Sequence, residues 1–119
     1  MEDIYSARVL EEYKHPKNFG TLSSPTHQSK EANSCGDTIH MFCTVNNSVI
    51  TEIKFSGKGC AISLAAASLL TEFVKGKTIA DVNKLTENDM HQLLGITVPL
   101  SRKHCARLAL TSLKEALEK

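Results

Sequence analysis

Three cysteines lie where the sequence pattern changes from one element to the next. Cys35 precedes a predicted strand, Cys60 follows a Gly-Lys-Gly sequence and begins a predicted helix, and Cys105 lies near the start of the last predicted helix. Side chains at such junctions can converge on a site that a rigid scaffold holds in place. Thiols that only fill volume rarely share this placement, so we expect metal or thiol chemistry from these three cysteines.

A carboxylate and an imidazole accompany two of these thiols. Asp37 follows Cys35 by two residues, and Gly36 between them permits a turn that directs both side chains to a common point. His104 precedes Cys105 and is a candidate ligand or proton carrier, although adjacent helix positions point about 100° apart. Thiolates with an imidazole and a carboxylate suit zinc or an iron-sulfur cluster, and they do not suit calcium or magnesium. The wide spacing of the cysteines predicts a site assembled by the fold rather than by a C-x-x-C knuckle.

The local charges predict how the thiols differ. A helix N-terminus favours an anion and Lys58 adds to the effect, so we expect Cys60 to be a better ligand than an ordinary thiol. The same argument applies to Cys105, which has cationic residues on both sides. Because Cys60 directly follows a strand and precedes the most apolar helix, Cys105 is expected to be the more exposed of the two. The fourth cysteine, Cys43, alternates with polar residues on the apolar side of a predicted strand and is expected in the core.

Hydrophobic periodicity predicts an α+β domain. Alternating apolar and polar residues predict two antiparallel strands, Thr38–Val45 and Val49–Phe55, joined by a turn, with an edge strand near Gln28–Ala32. Helical periods predict helices over residues 3 to 14, from 60 to about 76, and over 78 to 83 and 87 to 94, with a last helix from near Pro99 or Ser101. Strands followed by helices are typical of the α+β class.

Composition limits the number of domains, the partners and the cellular location expected for the protein. With 119 residues and 41% hydrophobic content, the chain is expected to form one domain over residues 1–119. The formal net charge of +1 argues against nucleic acid and anionic membranes as partners. The acidic start of the chain is unlike a signal or transit peptide, and the longest apolar stretch, Ile62–Leu70, is shorter than a membrane span. A cytoplasmic location is therefore expected, where disulfides are disfavoured.

Five segments resemble a known family. They are residues 15–20 (HPKNFG), 33–37 (NSCGD), 55–63 (FSGKGCAIS), 71–77 (TEFVKGK) and 102–106 (RKHCA). In this order and at these spacings they resemble the IscU/NifU N-terminal type of iron-sulfur cluster assembly scaffold, within the SufU/IscU superfamily. The resemblance runs from about residue 3 to the C-terminus and includes all three cysteines at element boundaries, which makes it specific.

The resemblance implies both a fold and a function. The fold is α+β, with a three-stranded antiparallel sheet and helices packed on one side, in the SufE/NifU-like arrangement. Members of the family accept sulfur from a cysteine desulfurase, build a labile [2Fe-2S] cluster and transfer it to apo-proteins, so a scaffold or carrier is implied rather than an enzyme. Isolated members commonly hold zinc at the same ligands. Carried over to this chain, the iron or zinc ligands are Cys35, Cys60 and Cys105, with Asp37 and His104 as the variable fourth.

Two functions other than a cluster scaffold are also considered for these residues. Zinc-dependent sulfurtransferases of the SufU type carry an insertion before the last cysteine and lack the histidine, whereas this chain has His104 and no such insertion. A small structural zinc domain is a third interpretation. In the IscU branch an L-P-P-V-K segment docks a DnaK-type chaperone, but residues 96–103 read ITVPLSRK here, so chaperone docking is not implied.

The expected exposure of Cys105 also predicts a role for it. An attacking thiol must be accessible and partly ionised to take sulfur from a desulfurase persulfide. We therefore expect persulfide first on Cys105, with His104 able to take the thiol proton and Cys35 as the main rival. Asp37, a hard carboxylate beside soft iron, is expected to keep the cluster labile.

Overall fold

A three-stranded antiparallel sheet forms one layer of the protein. The computed structural model describes residues 6–118, and its strands lie in the order β1 (His27–Ala32), β2 (Thr38–Asn46) and β3 (Val49–Lys58). Asn47 and Ser48 join β2 to β3 with φ angles of 53° and 65°, as a tight hairpin turn requires. The predicted hairpin is confirmed, with β3 continuing beyond the expected end of the strand.

Five α-helices lie in the described part of the chain. They are α1 (Ala7–Lys14), α2 (Ala61–Val74), α3 (Ile79–Asn83), α4 (Glu87–Leu94) and α5 (Lys103–Leu117). The bounds of α4 agree with the prediction because Thr86 and Asp89 form a capping box at its start and Gly95, with a φ of 69°, ends it. Before α5, Leu100–Arg102 form a 3-10 turn, so the last α-helix begins later than expected, and residues 3–5 of the first predicted helix lie outside the described residues. No helix within residues 6–118 has both the length and the apolar character to cross a membrane.

The helices pack on one face of the sheet, as predicted. α5 lies against β1 and β2, and α2 lies against β3 and α5. Two serine hydroxyls fix this packing, because Ser29 on β1 donates to the Ser112 carbonyl at 2.6 Å and Ser112 donates to the Ile39 carbonyl at 3.2 Å. Cys43 on β2 is fully buried in the core, which confirms its predicted position, and burial raises the pKa of its thiol to about 12.

The segment after α1 attaches that helix to α2 and to the sheet. Buried Glu12 accepts hydrogen bonds from the Ser68 hydroxyl on α2 at 2.6 Å and from Lys17 Nζ at 2.5 Å. The Phe55 N–H on β3 donates to the Asn18 carbonyl at 2.9 Å. These contacts give the HPKNFG sequence a structural role away from the cysteines.

Candidate metal centre

The connection between β3 and α2 brings Cys60 close to Asp37. Cys60 is the N-cap residue of α2 and is half-buried. A Cβ atom at Gly57, where φ is 150°, would lie 2.1 Å from the Thr38 carbonyl oxygen. A Cβ atom at Gly59 would lie 2.7 Å from Asp37 Oδ1. Both glycines of the Gly-Lys-Gly sequence are therefore needed for this close approach.

Asp37 is an ionised carboxylate held by several hydrogen bonds. Its Oδ1 accepts from the Cys60 N–H at 3.2 Å, and its Oδ2 accepts from Ser63 Oγ at 2.7 Å and from Asn33 Nδ2 at 3.1 Å. Burial raises the pKa of this carboxyl, but the hydrogen bonds, including one from Cys105, outweigh burial and hold the pKa below its ordinary value. Since the Cys60 side chain makes no capping hydrogen bond, Asp37 caps α2 from another part of the chain.

Cys105 lies on the buried face of α5. Its side chain is 0% exposed, whereas Cys60 is half-buried and Cys35 is exposed. Burial, followed by the neighbouring Cys60 and Asp37, raises the pKa of the Cys105 thiol to about 12. The prediction that Cys105 is more exposed than Cys60 is therefore wrong. α5 packs against both the sheet and α2, so its buried face is wide enough to include position 105 despite the flanking cations.

Three potential ligand atoms lie close together, one each from Asp37, Cys60 and Cys105. One carboxylate oxygen and two Sγ atoms all lie within 4.8 Å of one another. Two soft thiolates and one hard carboxylate suit zinc or iron better than an ion that prefers oxygen ligands alone, such as magnesium. A tetrahedral metal bound to these three atoms has a fourth position for another donor. The donors present therefore fit the metals expected from the sequence.

Cys35 and His104 form a second contact beside this group. Cys35 Sγ lies 3.0 Å from His104 Nε2, and Cys35 is exposed while His104 is half-buried. His104 directly precedes Cys105 on α5. Because consecutive side chains on a helix point in different directions, His104 points away from the buried Cys105 and towards Cys35. Neither Cys35 nor His104 belongs to the group of three ligand atoms. The five predicted residues thus lie in two adjacent groups, one in which two of the three residues are buried and one that is more exposed.

Asn33 and Ser63 hold these groups in place, and neither role was predicted. Asn33 Oδ1 accepts from the N–H groups of Cys35 at 3.0 Å and Asp37 at 3.1 Å, so Asn33 shapes the loop that carries both. An asparagine two residues before a cysteine in a segment rich in turn residues is a signal for such an Asx turn. The hydrogen bond from Ser63 to Asp37 joins distant parts of the chain and has no local signal in the sequence.

Comparison with known proteins identifies the family of this chain. Residues 4–119 match the family described as the NifU-like N terminal domain. The chain belongs to this family. A solved structure supports the NifU-like fold: a putative iron-sulfur cluster assembly scaffold protein for the SUF system from Fervidobacterium islandicum matches with a TM-score of 0.79 and 28% identity, covering 96% of each chain.

Two relatives are named for different functions. The iron-sulfur cluster assembly scaffold protein IscU of Aquifex aeolicus is 35% identical over 117 residues, which cover 96% of this chain and 74% of the relative. The zinc-dependent sulfurtransferase SufU of Bacillus subtilis is 26% identical, covering 100% of this chain and 92% of the relative. The second match extends over 136 positions against 119 residues here, so the SufU protein has residues that this chain lacks. This NifU-like chain is thus related to iron-sulfur cluster assembly scaffolds.

Proposed function

We propose that this NifU-like protein is a scaffold on which a [2Fe-2S] cluster is built with sulfur from a cysteine desulfurase and then passed to apo-proteins. The observation that carries the proposal is the group formed by Asp37, Cys60 and Cys105, beside the exposed thiol of Cys35. Soft donors with one hard donor, at a site with an exposed side, suit a cargo that must enter and leave. The protein then acts as a carrier and catalyses no reaction of its own.

The environment of each side chain supports a distinct role. Cys60 and Cys105 bind the cluster at fixed positions because α2 and α5 pack against each other. Cys35, on an exposed loop, completes the site from the solvent side. A [2Fe-2S] cluster takes four protein ligands, so Asp37 and His104 are alternatives for the fourth. As the fourth ligand, Asp37 would have to bind the metal with oxygens that already accept the hydrogen bonds that cap α2, so ligation and capping compete for the same atoms.

Zinc fits the same donors in the isolated protein. Structural and catalytic zinc sites use thiolate, imidazole and carboxylate ligands in tetrahedral geometry, and these residues supply all three types. Zinc held by Cys60 and Cys105 occupies the position of the cluster, so it must leave before iron is loaded.

A zinc-dependent sulfurtransferase of the SufU type is the second candidate function. The exposure of Cys35 favours it, because a thiol must be accessible to take sulfur from a donor persulfide. The presence of His104 and the lack of the insertion before Cys105 favour the scaffold instead. The two functions differ in whether iron and sulfide accumulate on the protein.

Anaerobic reconstitution followed by transfer tests the proposal. The protein is incubated with ferrous iron, cysteine and a cysteine desulfurase, repurified, and mixed with an apo-ferredoxin. We expect the visible absorption of a [2Fe-2S] cluster to appear on the protein and then on the acceptor, and not to appear when the desulfurase is omitted. Sulfur on the protein without iron, with zinc retained in full, would support the sulfurtransferase.

A further inference from the structure

A small cleft opens beside the Cys35–His104 contact. Its volume is about 230 Å³, which is below the roughly 300–1,000 Å³ typical of sites for drug-sized ligands, so it suits an occupant of about amino-acid size. One wall is a face of α5 that runs from His104 to Thr111. The opposite wall is the end of β1 and the following loop, residues 31–34, which leads directly to Cys35.

The two walls of this cleft carry opposite charges. Glu31, half-buried on β1, lies on the same side of its strand as Ser29, which contacts α5. Arg107 projects from α5, and its NH1 lies 3.4 Å from Glu87 Oε1 in an ion pair whose side chains are 57% and 36% exposed. An exposed pair of this kind is weak, so the guanidinium can bind another anion. An arginine fork binds a carboxylate with two parallel hydrogen bonds, and a glutamate binds an ammonium group.

We infer that the cleft binds a free α-amino acid that carries a reactive sulfur, such as cysteine persulfide or a cysteine disulfide, and presents that sulfur to Cys35. Arg107 holds the carboxylate of the amino acid and Glu31 holds its ammonium group. The Cα atoms of His104 and Arg107 are about 4.5 Å apart along the axis of α5, and residues three apart share one side of a helix, so the Arg107 position and the Cys35–His104 contact lie on the same side of α5. The inference rests on the proposed function and adds a small-molecule source of sulfur for the same thiol.

The exchange at Cys35 is balanced without an added oxidant. Cys35, as the thiolate after losing its proton to water, attacks the outer sulfur of the bound persulfide. A new S–S bond forms on Cys35 while the S–S bond of the donor breaks, and cysteine leaves as a thiolate that takes a proton from water. With cystine, the same attack gives a mixed disulfide between Cys35 and one cysteine and releases the other. A persulfide on a protein chain has no free ammonium or carboxylate group for Glu31 and Arg107 to hold.

The rate at which Cys35 reacts with small disulfides tests the inference. L-cystine carries ammonium and carboxylate groups, bis(2-hydroxyethyl) disulfide carries neither, and mass spectrometry quantifies the mixed disulfide on Cys35. We expect the rate with L-cystine to saturate as its concentration rises. Arg107→Gln should slow that reaction about tenfold, the effect of losing a hydrogen bond to a charged group, and leave the rate with the neutral disulfide unchanged. Arg8→Gln, an exposed arginine on α1, is the matched control and should change neither rate.

Two results would overturn the inference. One is a rate with L-cystine that rises linearly with concentration and is unchanged in Arg107→Gln. The other is equal slowing of both disulfides in that variant, which would indicate a general change at Cys35. Neither reaction contains iron, a desulfurase or an acceptor protein, so failure here is distinguishable from failure of the reconstitution described above.

Discussion

The surroundings of each thiol decide what it can do. Cys43 and Cys105 are both fully buried, and burial raises the pKa of each to about 12. Cys43 lies in an apolar core, whereas Cys105 lies beside Asp37 and Cys60. A metal ion binds the thiolate, so metal binding at Cys105 must displace its proton. Cys35 alone among the four cysteines is exposed.

This exposure changes where the first persulfide is expected. The persulfide was expected on Cys105 because that thiol was expected to be accessible. In the structure Cys105 is buried and Cys35 is the exposed thiol. We now predict that brief incubation with a desulfurase and cysteine adds sulfur to Cys35 first, as located by mass spectrometry after alkylation, and that Cys35→Ser loses this early product. Sulfur on Cys105 while Cys35 stays unmodified would contradict the prediction and require the start of α5 to open.

Asp37 links the stability of α2 to the lifetime of the cluster. Asp37→Ala removes a hard ligand from soft iron, so we predict that the variant keeps its cluster longer and transfers it more slowly than the wild type. The same change leaves the Ser63 hydroxyl and the Cys60 N–H without their partner, and the unfolding free energy should fall by about 1–3 kcal/mol. Absorption during transfer and denaturant unfolding measure the two effects. Release as fast as in the wild type would show that Asp37 does not control lability.

Among the elements, the start of α2 matters most for the site. The helix begins at a cysteine whose side chain makes no capping hydrogen bond, and Asp37 holds this end of the helix by accepting from the Cys60 N–H and the Ser63 hydroxyl. Gly59 leaves room for that carboxylate. The element that positions Cys60 and the loop that carries Cys35 are thus joined through one side chain.

Gly59→Ala tests this connection. Its Cβ would lie 2.7 Å from Asp37 Oδ1, and four hydrogen-bond partners, Asn33, Cys60, Ser63 and Cys105, hold that side chain in place. We predict a loss of about 1–3 kcal/mol in unfolding free energy together with weaker zinc binding, measured by denaturant unfolding and metal titration. Lys58→Ala, at the exposed neighbouring position, is the control for the unfolding free energy alone, which it should change by no more than about 0.5 kcal/mol. Unchanged zinc binding in Gly59→Ala would show that Asp37 can move freely.

The contact between α1 and α2 predicts a dependence of stability on pH. Burial raises the pKa of Glu12, but hydrogen bonds from Lys17 and Ser68 outweigh it and hold the pKa below its ordinary value. The contribution of Glu12 is therefore complete above its unfolded pKa and is lost as the pH falls through its lower folded pKa. Glu12→Gln should lower the unfolding free energy by about 1–2 kcal/mol at pH 7 and by less at pH 3. Denaturant unfolding at both pH values measures this, and an equal loss at both would contradict it.

Across the whole molecule, local signals made most of the fold predictable. The polar and apolar pattern predicted the bounds of α4, which the capping box at Thr86 and the glycine after the helix fix in the structure, and the junction positions of the cysteines indicated where the site lies. The burial of Cys105 was not predictable, because periodicity gives the direction of an apolar face but not how many elements pack around it. The capping of α2 by Asp37 also joins distant segments, so only the folded chain reveals it.

The most direct test of the metal centre is the iron and sulfide content of single variants after anaerobic reconstitution. We predict about two irons and two sulfides per chain in the wild type, as a [2Fe-2S] cluster requires, and the same in Cys43→Ala. Cys35→Ser, Cys60→Ser and Cys105→Ser should each lose most of the iron while circular dichroism shows that they stay folded. Full iron content in all three serine variants, or loss in Cys43→Ala alone, would show that these three cysteines do not hold the cluster.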